Sequence, residues 1–444
     1  MQTDNDNMVR SGDGVVESCL VFSSVNANPF DLTALWMTIS IYESIGTDYH
    51  RLEMSFTDNQ NLIEKIPIIG NEKIIIRYKT QGAKETRIFA GRIVSIPVRT
   101  EINQSTRAFV IEAITEEFVY NQKIKFSKSY NNMLISDMVN DIFDQYINPV
   151  SGKEIAIVPT IEQSSKIIPN YSPMRAINWL TKWARSPDYR EGASYVFYQN
   201  TNNFFFGPVE YLMDPSRTQG SSIPNYTHSK NVMTGDAKSK DISAGLYNII
   251  NFSTRTIDHM EMIREGAMAS SILSHDLVLG TRTKTTYDYF ESFDDMIHLE
   301  QNPISNDVRM GQYSDSRVLL NPQHYSAFGG ELNSNENPKT ALSRFSQLSH
   351  LRGSGLDILV PGDSNRTIGE VVNVELPSVG PNAKEDTLGD SDKYLSSRYL
   401  VWGVRHEMTR VPSGSVSYYC HMKLFRDSSR TEIPAQVAFP FGQS

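Results

Sequence analysis

Near the end of the chain, RYLVWGVRHEMTRVPSGSVSYYCHMKLF (398–425) alternates apolar and polar positions. On the return strand Val416, Tyr418, Cys420, Met422 and Leu424 share one face. Ser417, Tyr419, His421 and Lys423 share the other. Period-two alternation predicts a β-hairpin with one buried face. Pro412, Ser413 and Gly414 supply its turn. An earlier stretch, RIFAGRIVSIPVRTEINQSTRAFVIEAI (87–114), has the same design, and TISIYES (38–44), RLEMSF (51–56) and EKIIIRY (72–78) read as strands before it.

Elsewhere the period changes. SYNNMLISDMVNDIFDQYI (129–147) predicts a helix that buries Ile135, Val139, Ile142, Phe143 and Tyr146. Ser172 as N-cap and Pro173 at N1 announce a second helix through MRAINWLTKWAR, with Trp179 and Trp183 on one face. SYVFYQ and FFFGPV, joined by NTNN, predict an aromatic hairpin over 194–209. We read this pair of elements as a domain core rather than a sugar-binding platform. Residues 214–245 read as a long surface connection, and LYNIINFSTRT (246–256) as a strand. A helix is predicted within 257–275 although Gly266 weakens it. Residues 282–337 have no clear period, KTALSRFSQLSHL (339–351) predicts a last helix, and 355–377 return to strand.

The two hairpins belong to a longer repeat. Ile69-Gly70 precedes the first and Ile368-Gly369 the second; each phrase leads to an Arg-led strand with an internal glycine, Gly91 or Gly403. The offsets are 299 residues at the first glycine and 312 at the second. RLEMSF matches GLDILV (355–360) in pattern, and TISIYES matches LYNIINF. We read an internal duplication of a small antiparallel β-domain, the second copy split by an insertion over 257–350. A glycine inside a strand marks a bulge or a close backbone approach. A β-branched residue at Gly91 or Gly403 is therefore expected to impair assembly more than folding.

The chain has 444 residues, enough for about three domains. Its formal net charge of −9 argues against a nucleic-acid-binding face built on bulk positive charge. It does not exclude a channel through which nucleic acid passes. No apolar run approaches the roughly 20 residues of a membrane span, and MQTDNDNMVRSGDG has no apolar core of a secretory signal. Cys19 and Cys420 read as two buried thiols of a reduced, cytoplasmically made protein, with a single disulfide as the alternative.

Catalytic constellations are missing. Glu116-Glu117, read as adjacent strand residues, would point to opposite faces, and Asp294, Asp295 and Glu300 lie in a weakly patterned region. His406-Glu407 lacks the second histidine of HExxH; GTRTKTT (280–286) lacks a P-loop's ending; there is no G-x-S-x-G. No catalytic residue, cofactor site or metal site is assigned.

The phrases IFAGRIVSIP, SPMRAINWLTKWAR, REGAMASSILSHDL, VPGDSNRTIGEVVNVELPS and YLVWGVRHEMT stand in an order and spacing that resemble baseplate hub proteins of contractile-tailed phages, relatives of the tail protein D family and of the hub part of type VI secretion spikes. The resemblance covers roughly residues 15–427. It implies an α+β, mainly β fold: two duplicated antiparallel β-barrel tube domains plus two peripheral α/β insertions. The implied divisions are a first tube domain (15–122), a peripheral domain (123–214), a split second tube domain (215–256 and 351–427), an inserted domain (257–350) and a C-terminal arm (428–444). The implied role is structural and non-enzymatic, in the baseplate of a virion. A homotrimer would form a pseudo-hexameric ring between the hexameric tail tube, or a tube initiator, and the trimeric central spike. Baseplate wedge proteins are possible neighbours, and DNA would pass without specific binding. Gly70, Gly91, Gly369, Gly403, Trp402 and His421 are the candidate lumen-hairpin or interface positions. A tail-tip cell-wall hydrolase and a glycan- or receptor-binding tail protein are the alternatives.

Overall fold

The computed structural model describes residues 11–23, 28–58, 70–103, 106–161, 163–189, 193–214, 216, 223–228, 245–277, 280–305, 311, 313–323, 338–378, 391–412 and 414–432. The fold is mainly β with helices set around it, an α+β arrangement. The strands of the N-terminal part are β1 (Gly14–Phe22), β2 (Phe30–Asp31), β3 (Trp36–Ser44), β4 (Arg51–Asp58), β5 (Lys73–Thr80), β6 (Arg87–Asn103) and β7 (Thr106–Thr115). Then come β8 (Phe126–Leu134), β9 (Ile155–Ile157), β10 (Gln163–Tyr171), β11 (Tyr195–Gln199), β12 (Phe204–Pro208), β13 (Asn225–Thr227) and β14 (Asn251–Arg255). The last are β15 (Ala269–Asp276), β16 (Arg282–Asp288), β17 (Asn302–Pro303), β18 (Val318–Gln323), β19 (Ser354–Pro361), β20 (Val371–Glu375), β21 (Ser397–Arg410), β22 (Val416–Arg426) and β23 (Ser428–Ser429).

Thirteen strands form one sheet, ordered β14-β19-β22-β21-β3-β4-β7-β6-β5-β1-β2, with β20 on β21 and β13 on β20. The order β5-β6-β7-β4-β3 recurs as β20-β21-β22-β19-β14. The repeat read from the two hairpins is therefore a repeat of five strands in space. The units join where β3 pairs with β21, from Gly403 opposite Ser44 to Thr409 opposite Thr38. No closed barrel is found among the described strands. Instead the sheet curls about one core, and its far end folds back until Tyr418 N donates to Gly12 O at 2.7 Å. Period-two alternation drives this. Tyr418, Cys420, Met422 and Leu424 are buried as expected, and they share one cluster with Ile74, Ile76, Leu52 and Met54 of the first unit. Both cysteines are free and buried.

Two smaller cores flank the sheet. One gathers Ile135, Val139, Ile142 and Phe143 with Ile177 and Leu180 and with Tyr195, Phe197, Phe204 and Phe206 of the predicted aromatic hairpin. Trp179 and Trp183, partly buried, pack edge-to-face at 6.1 Å against it, although the helix expected to carry both ends at Leu180. The other gathers Met262, Met268, Ile272, Tyr287, Tyr289 and Leu342.

Several expected elements shift. Residues 129–134 are strand, the end of β8 on β10, and the helix starts at Ile135. Asn132 sits at φ 51°, left-handed backbone that no helix interior accepts. Ser172 and Pro173 begin the Pro173–Leu180 helix, but the Ser172 side chain makes no cap hydrogen bond. Asn121 Oδ1 accepts from Met174 N at 2.8 Å instead, so the cap is supplied across the domain. The helix expected within 257–275 stops at Glu265, because Gly266 ends it at φ 74°. Residues 269–276 are then β15, the centre of a three-stranded sheet with β16 and β18. The strand expected over 246–256 is confined to β14. The last helix runs Pro338–Gly353. Of the C-terminal arm, residues 433–444 lie outside the described residues, as do 379–390 of the loop that lengthens the second hairpin unit.

Candidate functional site

The hairpins β6–β7 and β21–β22 carry the site, and their bulges give the true equivalence. In β6 the register slips between Ile93, opposite Ala113, and Ser95, opposite Glu112. In β21 it slips between Val401, opposite Leu424, and Gly403, opposite Lys423. Backbone bonds at the strand entries agree: Ile93 N donates to Glu72 O at 2.9 Å, and Val401 N to Glu370 O at 2.8 Å. Gly403 thus corresponds to Ser95, and Trp402 to Val94. Gly403 and Gly91 are not counterparts, which corrects the glycine alignment. Likewise Asn71 N donates to Ile93 O and Gly369 N to Val401 O. Gly369 therefore corresponds to Asn71 and not to Gly70. Asn71 and Gly369 both hold left-handed backbone, at φ 78° and 84°, which Asn tolerates and Gly adopts freely.

The glycines differ in what they permit. A Cβ on Gly91 would lie 2.6 Å from Ile114 O and 2.8 Å from the Phe89 ring. On Gly403 its nearest neighbour would be Glu43 O at 3.4 Å. Gly91→Ala is expected to cost about 1–3 kcal/mol of folding stability through overpacking. Gly403→Ala should stay within about 1 kcal/mol of the parent; urea unfolding of both checks this. A side chain at Gly91 is therefore expected to cost folding stability as well as assembly, unlike one at Gly403. Trp402 is buried, its ring 5.4 Å from Phe425 and under the Arg352 guanidinium at 5.1 Å.

Gly403 and His421 meet in one place, an open concavity of about 530 Å³ on the sheet face away from the core. Strands β3, β21, β22, β19 and β14 line it, with Tyr42, Phe252, Asp357, Arg405 and Lys423 among its walls. Cross-strand pairs cover this face. His421 Nε2 and Arg405 Nη2 each lie 2.9 Å from Glu407 Oε2, and the Arg405 guanidinium stands 5.4 Å over Tyr42. Arg51 stacks on the same ring at 5.6 Å and pairs with Glu112 at 2.5 Å and Glu53 at 3.5 Å. Arg255 faces Asp357 at 3.8 Å. Arg51, Arg255, Arg405 and Lys423 therefore stand against Glu53, Glu112, Asp357 and Glu407, a face balanced in charge. Such pairs add little stability each. Paired in this way, opposite charges largely cancel one another's field over this patch.

Beneath the same seam lies a second cluster, and it is closed. Arg87 Nη1, from the start of β6, is 3.2 Å from Glu43 Oε1 of β3 and 3.0 Å from His406 Nε2 of β21. Thr201 and Thr367 hydroxyls donate to Glu43 at 2.8 and 3.3 Å. His406 Nδ1 lies 2.7 Å from the Tyr418 hydroxyl. Burial works against the charged Glu43, but His50, Arg87 and His406 outweigh it and hold the carboxyl down at about 2. Burial, then Arg87, pushes His406 down to about 3, so the imidazole is neutral at neutral pH and the charge facing Glu43 is that of Arg87. The adjoining space measures about 10 Å³, too small for a substrate. The cluster ties the two β-units to the aromatic domain through Thr201. In the sequence its members are legible only as the arginine that opens the strand and as a histidine outside any HExxH motif.

The arginine opening the second hairpin repeats the theme. Arg398 Nη2 lies 3.3 Å from Glu300 Oε2, and Arg430 Nε lies 3.4 Å from its Oε1. Glu300, weighed above as an acid, is thus a buried anchor for the inserted residues. Glu116 and Glu117 start a helix rather than end a strand. Glu116 is held by Arg92 at 2.6 Å and Lys73 at 2.7 Å, and Glu117 by Lys153 at 3.0 Å. Among the described residues no group of His, Cys, Asp and Glu is placed to hold a metal ion, and no helix is long and apolar enough to cross a membrane.

With its repeated five-strand unit, joined edge to edge and flanked by two smaller cores, the chain is similar to a probable phage baseplate hub protein and to two tail proteins of known structure. A probable baseplate hub protein of Vibrio phage KVP40 is 21% identical over 408 residues, spanning 88% of this chain and 89% of the relative. A tail protein from Neisseria meningitidis MC58 superposes with a TM-score of 0.55 at 11% identity, covering 92% of this chain and 96% of its own. The 43 kDa tail protein of prophage MuSo2 from Shewanella oneidensis gives 0.51 at 12% identity, covering 94% and 98%. No family model matches the chain.

Proposed function

We propose that this protein is the structural hub of a phage tail baseplate, located in the virion. Three copies form a ring of six similar β-units that adapts a hexameric tail tube to a trimeric central spike and leaves a channel for DNA. The observation that carries this reading is the five-strand order that occurs twice in one continuous sheet. Two like units per chain give six-fold repetition from three-fold assembly. The charge-balanced concave face would turn toward the channel, where weak adhesion to DNA is an advantage. On this reading the two units are the duplicated tube domains and the flanking cores are peripheral domains. The role is non-enzymatic: Glu116, Glu117 and Glu300, weighed as acids, are tied into ion pairs, and the buried His406 accepts from Arg87. Similarity to the KVP40 hub protein over most of both chains supports the reading.

Light scattering with negative-stain class averages tests it. A threefold mass and a ring with six-fold features and an open centre are expected. A monomer across micromolar concentrations overturns it.

A further inference from the structure

Within one chain the two units meet by a strand pairing that the sheet leaves half-used. β3 of the first unit joins β21 of the second along residues 403–409, past the end of β20, which pairs only with 397–400. The counterpart of β21 is β6. Strand β5 covers residues 87–92 of β6, and among the described residues only β7 pairs with 95–103. The counterpart of β3 is β14. Among the described residues β14 pairs only with β19, and its side chains are largely exposed. Each chain therefore has one seam already made and the two halves of a second seam at opposite ends of its repeat.

The register follows from the repeat. Leu52 corresponds to Leu356, because they face the counterparts Ala113 and Leu424. Ile41 faces Leu52, and Thr254 faces Leu356, so Thr38–Tyr42 corresponds to Asn251–Arg255. Arg405 faces His421 as Val98 faces Val110, so Arg405 corresponds to Val98 once the second bulge of β6 is passed. Tyr42 faces Arg405 and Ser40 faces Glu407 in the existing seam.

We propose that β14 of one copy adds antiparallel to the free edge of β6 of the next, with Arg255 opposite Val98, Ser253 opposite Thr100 and Asn251 opposite Ile102. The occupant of both edges is thus a second copy of this chain. The inference rests on the ring reading and specifies its contact. Free edges are templates for such pairing. Val98 and Ile102 are 42% and 57% exposed in the single chain, and the added strand would lie along them. Two different surface patches make a head-to-tail contact, the kind that closes a ring. Three such contacts and three internal seams would give six.

Paired cysteines test the register. Ser253 and Thr100 are both exposed, and Cys19 and Cys420 are buried, so the new thiols are the accessible ones. Facing strand residues lie within disulfide reach. On mild oxidation the Ser253→Cys/Thr100→Cys chain should run as a covalent trimer on a non-reducing gel. A Ser253→Cys/Lys84→Cys control should run as a monomer. A trimer by light scattering that does not cross-link overturns the pairing and spares the ring. A monomer that does not cross-link overturns both. An open-ended ladder of products overturns ring closure by this contact.

Discussion

Arg87→Met is expected to destabilise the folded chain by about 3–5 kcal/mol, because it strands a buried carboxylate. The Arg87 side chain is 12% exposed and that of Glu43 1%. Without the guanidinium, Glu43 keeps the two threonine hydroxyls and two buried imidazoles, His50 and His406, whose charged forms burial disfavours. The pH dependence changes sign. In the parent, the low folded value of Glu43, about 2, lies below its unfolded value near 4.5. Its stabilising contribution is therefore present above the unfolded value and lost as pH falls toward 2. In the variant the folded value moves up, and stability should rise as pH falls. Glu43→Gln/Arg87→Met removes both charges and should recover most of the loss. Urea unfolding of parent, single and double variants at pH 3, 5 and 8 measures all of this. A single variant that costs under about 1 kcal/mol would sink the account of the seam.

Glu210→Gln is expected to stabilise the protein at alkaline pH by about 3 kcal/mol and to leave it unchanged at pH 4. Glu210 lies in the short helix Val209–Met213, after the aromatic hairpin, and is 2% exposed. Burial pushes its carboxyl up to about 7, against hydrogen bonds from its own backbone and Ser194 and the more distant charge of Arg344. The folded value exceeds the unfolded one, so the folded chain holds a proton that the unfolded chain releases. Stability from this group is full below about pH 4.5 and is lost as pH rises through 7. Glutamine imitates the protonated form and removes the slope. Thermal melts of both proteins from pH 4 to 9 should diverge upward from pH 5. Parallel curves would show that Glu210 is ionised throughout.

Much of the frame was legible from pattern alone. Period-two alternation placed both hairpins, and the match of RLEMSF to GLDILV named the correct strand pair, β4 and β19. The aromatic hairpin is legible with its turn, and Tyr195 to Gln199 face Pro208 to Phe204 as expected. The glycine alignment failed because Gly91 corresponds to Tyr399, four residues before Gly403, and an even shift leaves period-two alternation unchanged. Ile93/Ser95 and Val401/Gly403 carry the same slip, so the bulge, not the glycine, is the feature held in common. The helix expected through 257–275 failed because Met262, Met268 and Ile272 do reach one core, but from a helix and then a strand. Burial pattern does not distinguish those routes over a short segment.

What the sequence determined by itself was the local alphabet. Strands, turns and the absence of familiar catalytic motifs follow from residues a few positions apart, and the repeat follows from matching two such stretches along the chain. What only the tertiary structure decided was how distant residues meet. Arg87, Glu43 and His406 are separated by tens to hundreds of residues and become one buried cluster because β3 pairs with β21. No periodicity encodes that pairing. It arises because a curled sheet must bury one face around a shared core, and the strand edges that meet there are chosen by that global packing.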